Sequence, residues 1–401
     1  MHSRSDQHVT RNRHRFVALS IITFAMVMVA AQIRSTVAES VSSFKVTNLI
    51  GSAGSGGKMK DPRMVNAWGL AFIPGESFWV NDESTGVSEL IDGNGTIFKS
   101  LPFVTVPGAT GGTGKPTGIV GNVTGEFPLP SGPTATFIFD TEDGTIAGWN
   151  SGTTATTIVN NSGEAAYTGL ALANNGSANL LYAANHKAPG SIDVFDSSFN
   201  PTTTSGGFSD PSLPAGLTPY NITTIDGNLF VAYSKGTTAV GQVDEFNTDG
   251  TLIMTFTDAS LNEPWGLTLA PSHFGTFSND LLVGNLSDGS ISVFNPTNGE
   301  FLGQLADKDS NRILIPGLWA LLDGTDAIDA TADAVYFTAG PGGYTEGLFG
   351  TIEAGRGGKP SKTPKPTKTP KPTKTPKPAK TPKPTKTPDP KPTPTPPPYI
   401  Y

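Results

Sequence analysis

One short passage comes round six times in this chain of 401 residues. In its most faithful copy, Trp265-Gly266-Leu267 leads to Leu281-Leu282-Val283-Gly284-Asn285, then to Asp288-Gly289-Ser290-Ile291, then to Phe294-Asn295. Another copy runs Trp68-Gly69-Leu70-Ala71, Phe78-Trp79-Val80-Asn81, Gly86-Val87-Ser88 and Asp92-Gly93. Aligning the start of each copy gives Gly69, Gly118, Gly169, Ile222, Gly266 and Ala320. These lie roughly 50 residues apart, a period that means a propeller or a solenoid.

Within each copy the apolar stretches are short and rich in β-formers, as in Phe137-Ile138-Phe139, Leu180-Leu181-Tyr182, Leu229-Phe230-Val231 and Val335-Tyr336-Phe337. Gly, Asn and Asp punctuate them, and no copy carries a 3.6-residue pattern, which removes a helical solenoid. The third strand of a copy tends to end in an aromatic and an Asn or Asp: Trp149-Asn150, Phe195-Asp196, Phe246-Asn247, Phe294-Asn295. Turns such as Asp249-Gly250 and Asn298-Gly299 follow, and a fourth strand fits after them, as over 96–104. Such a four-stranded unit is a propeller blade. The sixth copy has room for three strands, near 318–322, 334–339 and 347–352, before the composition changes. One spare strand remains at the other end, over 44–49. Placed as the outer strand of the last blade, it closes the ring and removes an exposed edge. The predicted fold is all-β: a six-bladed β-propeller over 39–358, closed by an N-terminal strand.

The repeat resembles the NHL-type blade, in which a Gly-Leu/Ile-Ala start precedes an apolar-Val-Ala/Asn-Asp segment. Over roughly 44–352 the chain resembles a family of uncharacterised secreted propeller proteins, some with wall- or membrane-sorting tails. The stretches that carry the likeness include 66–72, 141–150, 169–173, 182–185, 264–267, 280–285 and 337–341. The resemblance implies fold and secretion; it implies no activity and no catalytic residues. The C-terminal tail lies outside it.

The ends of the chain differ from its middle. Arg4, Arg11, Arg13 and Arg15 precede an apolar run over 16–31 and small residues at Val29-Ala30-Ala31 and Thr36-Val37-Ala38. This order reads as a signal peptide over 1–38, the alternative being an uncleaved anchor, and it sends the rest of the chain outside the cell or to its wall, with no other segment apolar enough to span a membrane. From Lys359 to Tyr401 the text is Lys-Pro and Lys-Thr-Pro repeated. Such a tail buries no core and is predicted disordered, with polyproline II character. Its regular lysines suit an anionic wall or matrix polysaccharide. The alternatives are an O-glycosylated stalk or a plain spacer. The tail holds 11 Lys and one Asp, and residues 1–40 hold five Arg against one Asp and one Glu. With a net charge of −7 overall, residues 41–358 therefore carry −20. So acidic a domain repels nucleic acid and attracts cations. Without cysteines it is stabilised by a large core or a closed architecture rather than disulfides. A monomer is expected.

The second strands end at Asn81, Asp140, Asn185, Tyr233, Asn285 and Ala339. Equivalent positions on successive blades form a ring about the axis, so Asn81, Asp140, Asn185 and Asn285 are candidate ligands for Ca²⁺, which takes six to eight oxygens. Glu83, Glu142 and His186 lie nearby in sequence as further ligands or a general base. An axial cation of this kind would polarise a carbonyl and activate water, as in a metal-dependent lactonase or esterase. The plainer reading is that Asn and Asp at strand ends satisfy turn backbone groups. Trp68, Trp265 and Trp319 share one repeat position, with Thr117, Thr168 and Asn221 in the other copies. They read as core packing or as a ligand platform at one mouth of the channel. Two histidines far apart, His186 and His273, do not make a zinc site, and Gly51 to Gly57 lacks the Lys-Ser/Thr of a phosphate loop. Asn-x-Ser/Thr triplets mark Asn94, Asn122, Asn160, Asn175 and Asn221 as glycosylation acceptors if the source is eukaryotic. Asn285 carries the same triplet, though glycosylation would exclude it as a metal ligand. Two functions follow: a secreted or wall-associated propeller that binds or scaffolds, and, as the alternative, a Ca²⁺-dependent hydrolase.

Overall fold

The computed structural model describes residues 42–355 except 131 and 237–240. The expected signal peptide and the Lys-Thr-Pro tail lie outside the described residues.

Six antiparallel sheets succeed one another along the chain. The first blade consists of Ala67–Ala71, Phe78–Asp82, Val87–Ile91 and Phe103–Thr105, and the second begins with Pro116–Gly121. The third to fifth blades begin with Tyr167–Asn174, Thr218–Ile225 and Pro264–Leu269. The sixth contains Leu318–Asp323, Ala334–Ala339 and Leu348–Ala354. Its outer strand is Phe44–Gly51, which pairs antiparallel with Leu348–Ala354, as the spare N-terminal strand predicts. A further short strand, Met59–Lys60, adds parallel to it. The inner strand of the sixth blade touches that of the first, so the ring closes. The fold is a six-bladed β-propeller. The outer strand of the first blade, Phe103–Thr105, is shorter than the 96–104 expected, because the chain bends over 99–101.

Blade strands are buried on both faces, and their sequences reflect it. Phe78–Asp82 and Leu281–Asn285 are buried throughout, and their leading residues, Phe78-Trp79-Val80 and Leu281-Leu282-Val283, are apolar in succession rather than in alternation. Six apolar clusters form, one at each blade interface. Trp79 stacks on Phe137 across the first, with ring centroids 4.3 Å apart. The last, between the sixth blade and the first, extends to the axis through Trp68, Trp265 and Trp319.

Every inner strand carries a register shift near its start. In the fifth blade Pro264 faces Asn285 and Gly266 faces Gly284, which leaves Trp265 as the extra, bulged residue. In the fourth, Pro219 faces Tyr233 and Asn221 faces Ala232, which leaves Tyr220. In the first and sixth blades the shift falls across Trp68-Gly69 and Trp319-Ala320. A bulge breaks the in-out alternation and re-aims its side chain. The glycine that follows lies where the next blade comes closest. A Cβ on Gly69 would sit 2.0 Å from the Thr117 carbonyl oxygen, and one on Gly266 would sit 2.5 Å from that of Trp319.

Gly69→Ala is therefore expected to force two blades apart. It should cost at least about 2 kcal/mol of unfolding free energy in a urea or thermal melt. Gly132→Ala, where the added methyl meets nothing within 4 Å, serves as the neutral control.

Candidate functional site: the axial mouth

The bulges place four aromatic side chains at one end of the channel. Trp68 and Trp319 stack with centroids 3.5 Å apart, and Trp265 meets each of them edge-on at 6.3 and 5.9 Å. Tyr220 lies edge-on to Trp319 at 6.0 Å, and Tyr344, on the turn after the second strand of the sixth blade, lies 5.7 Å from it. The repeat alignment of the sequence put Asn221 at this position. The strand register moves the blade by one residue, and Tyr220 takes the aromatic place. Asn221 instead points its amide at the next blade, donating to the Trp265 carbonyl at 2.7 Å.

Above these rings lies a cavity of about 350 Å³, bordered by Trp68, Trp319, Tyr220 and Tyr344 and by the carboxylates of Glu83, Glu142 and Glu263. Trp265 joins the cluster beneath without lining the cavity. Two of the carboxylates are answered. Lys115 Nζ sits 3.3 Å from both Glu83 and Glu142. Glu83 also accepts from Asn66 Nδ2 at 3.1 Å and Ser84 Oγ at 2.7 Å, and Asn66 Oδ1 accepts from Trp319 Nε1 at 2.7 Å. Despite burial, these donors and Lys115 hold the Glu83 carboxyl below its ordinary range, while desolvation raises that of Glu142. Glu263 has no such support. It is 8% exposed, its Oε1 finds no hydrogen-bond partner among the described residues, and burial alone raises its carboxyl. The indole N–H of Trp68 is likewise buried without an acceptor. His186 packs against Tyr220 at 4.5 Å, with Nδ1 held by Thr218 Oγ1 and the Pro219 carbonyl, and burial lowers its basicity. Sequence proximity to the strand ends flagged Glu83, Glu142 and His186. Glu263, in the link between the fourth and fifth blades, carried no sequence signal.

The expected ring of Asn81, Asp140, Asn185 and Asn285 does not form, and the reason is strand register. Asp82, Thr141, Asn185, Tyr233, Asn285 and Ala339 face the residue before the bulge. Asn81 and Asp140 precede Asp82 and Thr141 by one residue, so they project from the opposite face of their blades. Those two do come together: Asn81 Nδ2 donates to the carbonyls of Thr117 and Gly118, and Asp140 accepts from the Thr117 hydroxyl and the Gly118 amide. Burial still outweighs these bonds and pushes the Asp140 carboxyl up to about 7. Asn185 and Asn285 tether the segments that lead into the inner strands of their own blades, accepting from the amides of Ala166 and Asn262. With their oxygens spread over two faces, the four residues do not fit one Ca²⁺. Among the described residues no group of three or more His, Asp or Glu side chains is placed to hold a metal ion. His273 lies apart, 3.1 Å from Asp333. Of the glycosylation triplets, Asn94, Asn160 and Asn175 are exposed. Asn122 and Asn221 do not suit the role expected of them: both are buried, with Asn122 Nδ2 donating to the carbonyls of Glu126 and Ala135 and that of Asn221 committed to Trp265.

The fold and this mouth define the class: a six-bladed propeller with an aromatic axial cavity. The chain belongs to a family of uncharacterised proteins that includes two from Acanthamoeba polyphaga mimivirus. One is 30% identical over 337 residues, spanning 78% of this chain and 80% of the relative; the other is 30% identical over 338 residues, spanning 78% and 86%. No family model matches the sequence. Among solved structures, the chain is similar to a protein of unknown function from Bacteroides thetaiotaomicron (12% identity, TM-score 0.49, covering 78% of this chain and 76% of that one). It is also similar to the soluble aldose sugar dehydrogenase of Escherichia coli (12% identity, TM-score 0.48, covering 78% and 100%).

The first blade concentrates buried carboxylates. Where the third and fifth blades have Asn185 and Asn285, the first has Asp82, fully buried, with neither carboxylate oxygen hydrogen-bonded. Glu89 and Asp61 lie close by, and Arg63 pairs with Glu89 at 2.9 Å and with Asp61 at 2.5 Å. Desolvation, then repulsion from Glu89 and Asp61, raises the Asp82 carboxyl well above its ordinary range; Glu89 is pushed up to about 7. A carboxyl with a raised folded pKa contributes its full stability below the unfolded value and loses it as pH rises through the folded one. The melting temperature is therefore expected to fall between about pH 4 and pH 8. Asp82→Asn, which installs the residue used by the third and fifth blades, should raise it at pH 8 and flatten the profile. Scanning calorimetry across that range checks both; a profile unchanged by the substitution refutes the assignment to Asp82.

Proposed function

We propose that this protein is a secreted, NHL-like binding propeller, with its ligand at the axial mouth and its lysine-rich tail engaging an anionic wall or matrix polysaccharide. The observation that supports the first half is the convergence of Trp68, Trp319, Tyr220 and Tyr344 on a cavity that is bordered also by Glu263, a carboxylate with no cation beside it among the described residues. Apolar-walled cavities of roughly 300–1,000 Å³ with a few convergent polar groups are the usual form of a small-molecule site. Packing alone accounts for Trp265, whose indole N–H donates to the Thr168 carbonyl at 2.9 Å. It leaves the Trp68 indole and the Glu263 carboxylate unsatisfied.

The test is a panel of small sugars, amines and carboxylates, screened by tryptophan fluorescence and thermal shift on the full chain. Ligands found this way should bind at least tenfold more weakly to Tyr344→Ala, since Tyr344 is a half-exposed rim residue whose removal spares the core. Ligands indifferent to Tyr344 would place the site elsewhere. For the tail, removal of 359–401 should abolish retention on a polygalacturonate column, and added salt should elute the intact chain, because the attraction is between exposed charges. Equal retention of both forms removes the tail from the binding.

A further inference from the structure

The axial mouth is not chemically neutral, and its imbalance specifies a ligand. Three carboxylates border the cavity, and one cation, Lys115, sits between two of them. Glu263 is left over. Among the described residues no Lys, Arg or His lies within salt-bridge distance of it, and its buried Oε1 accepts no hydrogen bond. Such a group is costly to leave unsatisfied. Two tyrosines and two tryptophans border the same space. Aromatic faces attract a cation through the ring quadrupole, most strongly where water is excluded.

We propose that the axial cavity binds a small organic ammonium ion, with the ammonium held against the tyrosine and tryptophan rings and neutralised by Glu263. This rests on the axial mouth being the ligand site, and names the chemistry it selects. A neutral sugar would stack on the same rings but leave the Glu263 charge uncompensated. An inorganic cation would find one unpaired carboxylate rather than the oxygen cage it needs. An anion would be repelled by Glu263. The main chain at Glu263 is fixed independently of any ligand: it adopts a left-handed φ of 56°, and its carbonyl accepts from the Leu286 amide at 3.0 Å.

The probes are choline and its uncharged isostere 3,3-dimethyl-1-butanol, titrated calorimetrically into the full chain at pH 8. Choline is expected to bind at least tenfold more tightly than the alcohol. Glu263→Gln should reduce choline affinity at least tenfold while leaving that of the alcohol within about twofold, a split that a merely structural role would not produce. Tyr344→Ala, at the exposed rim, should weaken both. Equal binding of choline and alcohol, or choline binding unaltered in Glu263→Gln, overturns the cation proposal while leaving the axial site standing. Sugars that bind in a Tyr344-dependent way where choline does not bind would overturn it equally. If no sugar, amine or carboxylate binding depends on Tyr344, both the site and its proposed ligand fall.

Discussion

The close approach of one inner strand to the next, backbone against backbone, is the contact on which the rest of this propeller depends. It requires a residue without a side chain at Gly69, Gly118, Gly169 and Gly266, because the neighbouring main chain already occupies the Cβ position. It also brings polar groups of adjacent blades within bonding range. Asn81 donates to the carbonyls of Thr117 and Gly118, Asn221 donates to the carbonyl of Trp265, and the Thr338 hydroxyl donates to that of Trp68. With no disulfides, these bonds and the six interfacial apolar clusters hold the ring, and the Phe44–Gly51 strand closes it.

The same geometry makes the site. A bulge just before each close approach displaces one residue from the ladder. In four blades that residue is aromatic and gathers at the axis: Trp68, Tyr220, Trp265 and Trp319. In the second and third blades the corresponding residues are Thr117 and Thr168. Their hydroxyls lie against the carbonyls of Tyr167 and Ala184, at 2.8 and 3.5 Å. The mouth is thus lopsided, aromatic on one side and hydrogen-bonded backbone on the other, although six nearly identical units build it. Departures from the repeat carry the chemistry, and the repeat supplies the frame. Asp82 is a departure of another kind: it buries a carboxyl where two other blades bury an amide.

Much of this was legible in the residues. The period near 50, the short apolar runs and the missing strand of the last blade imply six blades and their closure, because each is a local pattern repeated. The shared position of Trp68, Trp265 and Trp319 was legible for the same reason. What misled was counting along the chain without knowing the register. One residue of offset makes Asn221 look like the partner of the tryptophans when Tyr220 is, and makes Asn81 and Asp140 look like companions of Asn185 and Asn285. Side chains in a strand alternate between faces, so a slip of one exchanges the groups that meet.

The sequence by itself thus determined the architecture: an all-β chain of six blades, an acidic domain between basic ends, and a ring closed by its own N-terminal strand. These follow from composition and local periodicity, which are properties of neighbouring residues. Only the tertiary structure decided which side chains share the axis. It set Glu263 beside Tyr220, Tyr344 and the tryptophans, left that carboxylate without a partner among the described residues, and scattered the Asn and Asp strand ends over two faces. Those outcomes depend on where bulges fall and on residues far apart in the chain, and no local pattern encodes a meeting of that kind.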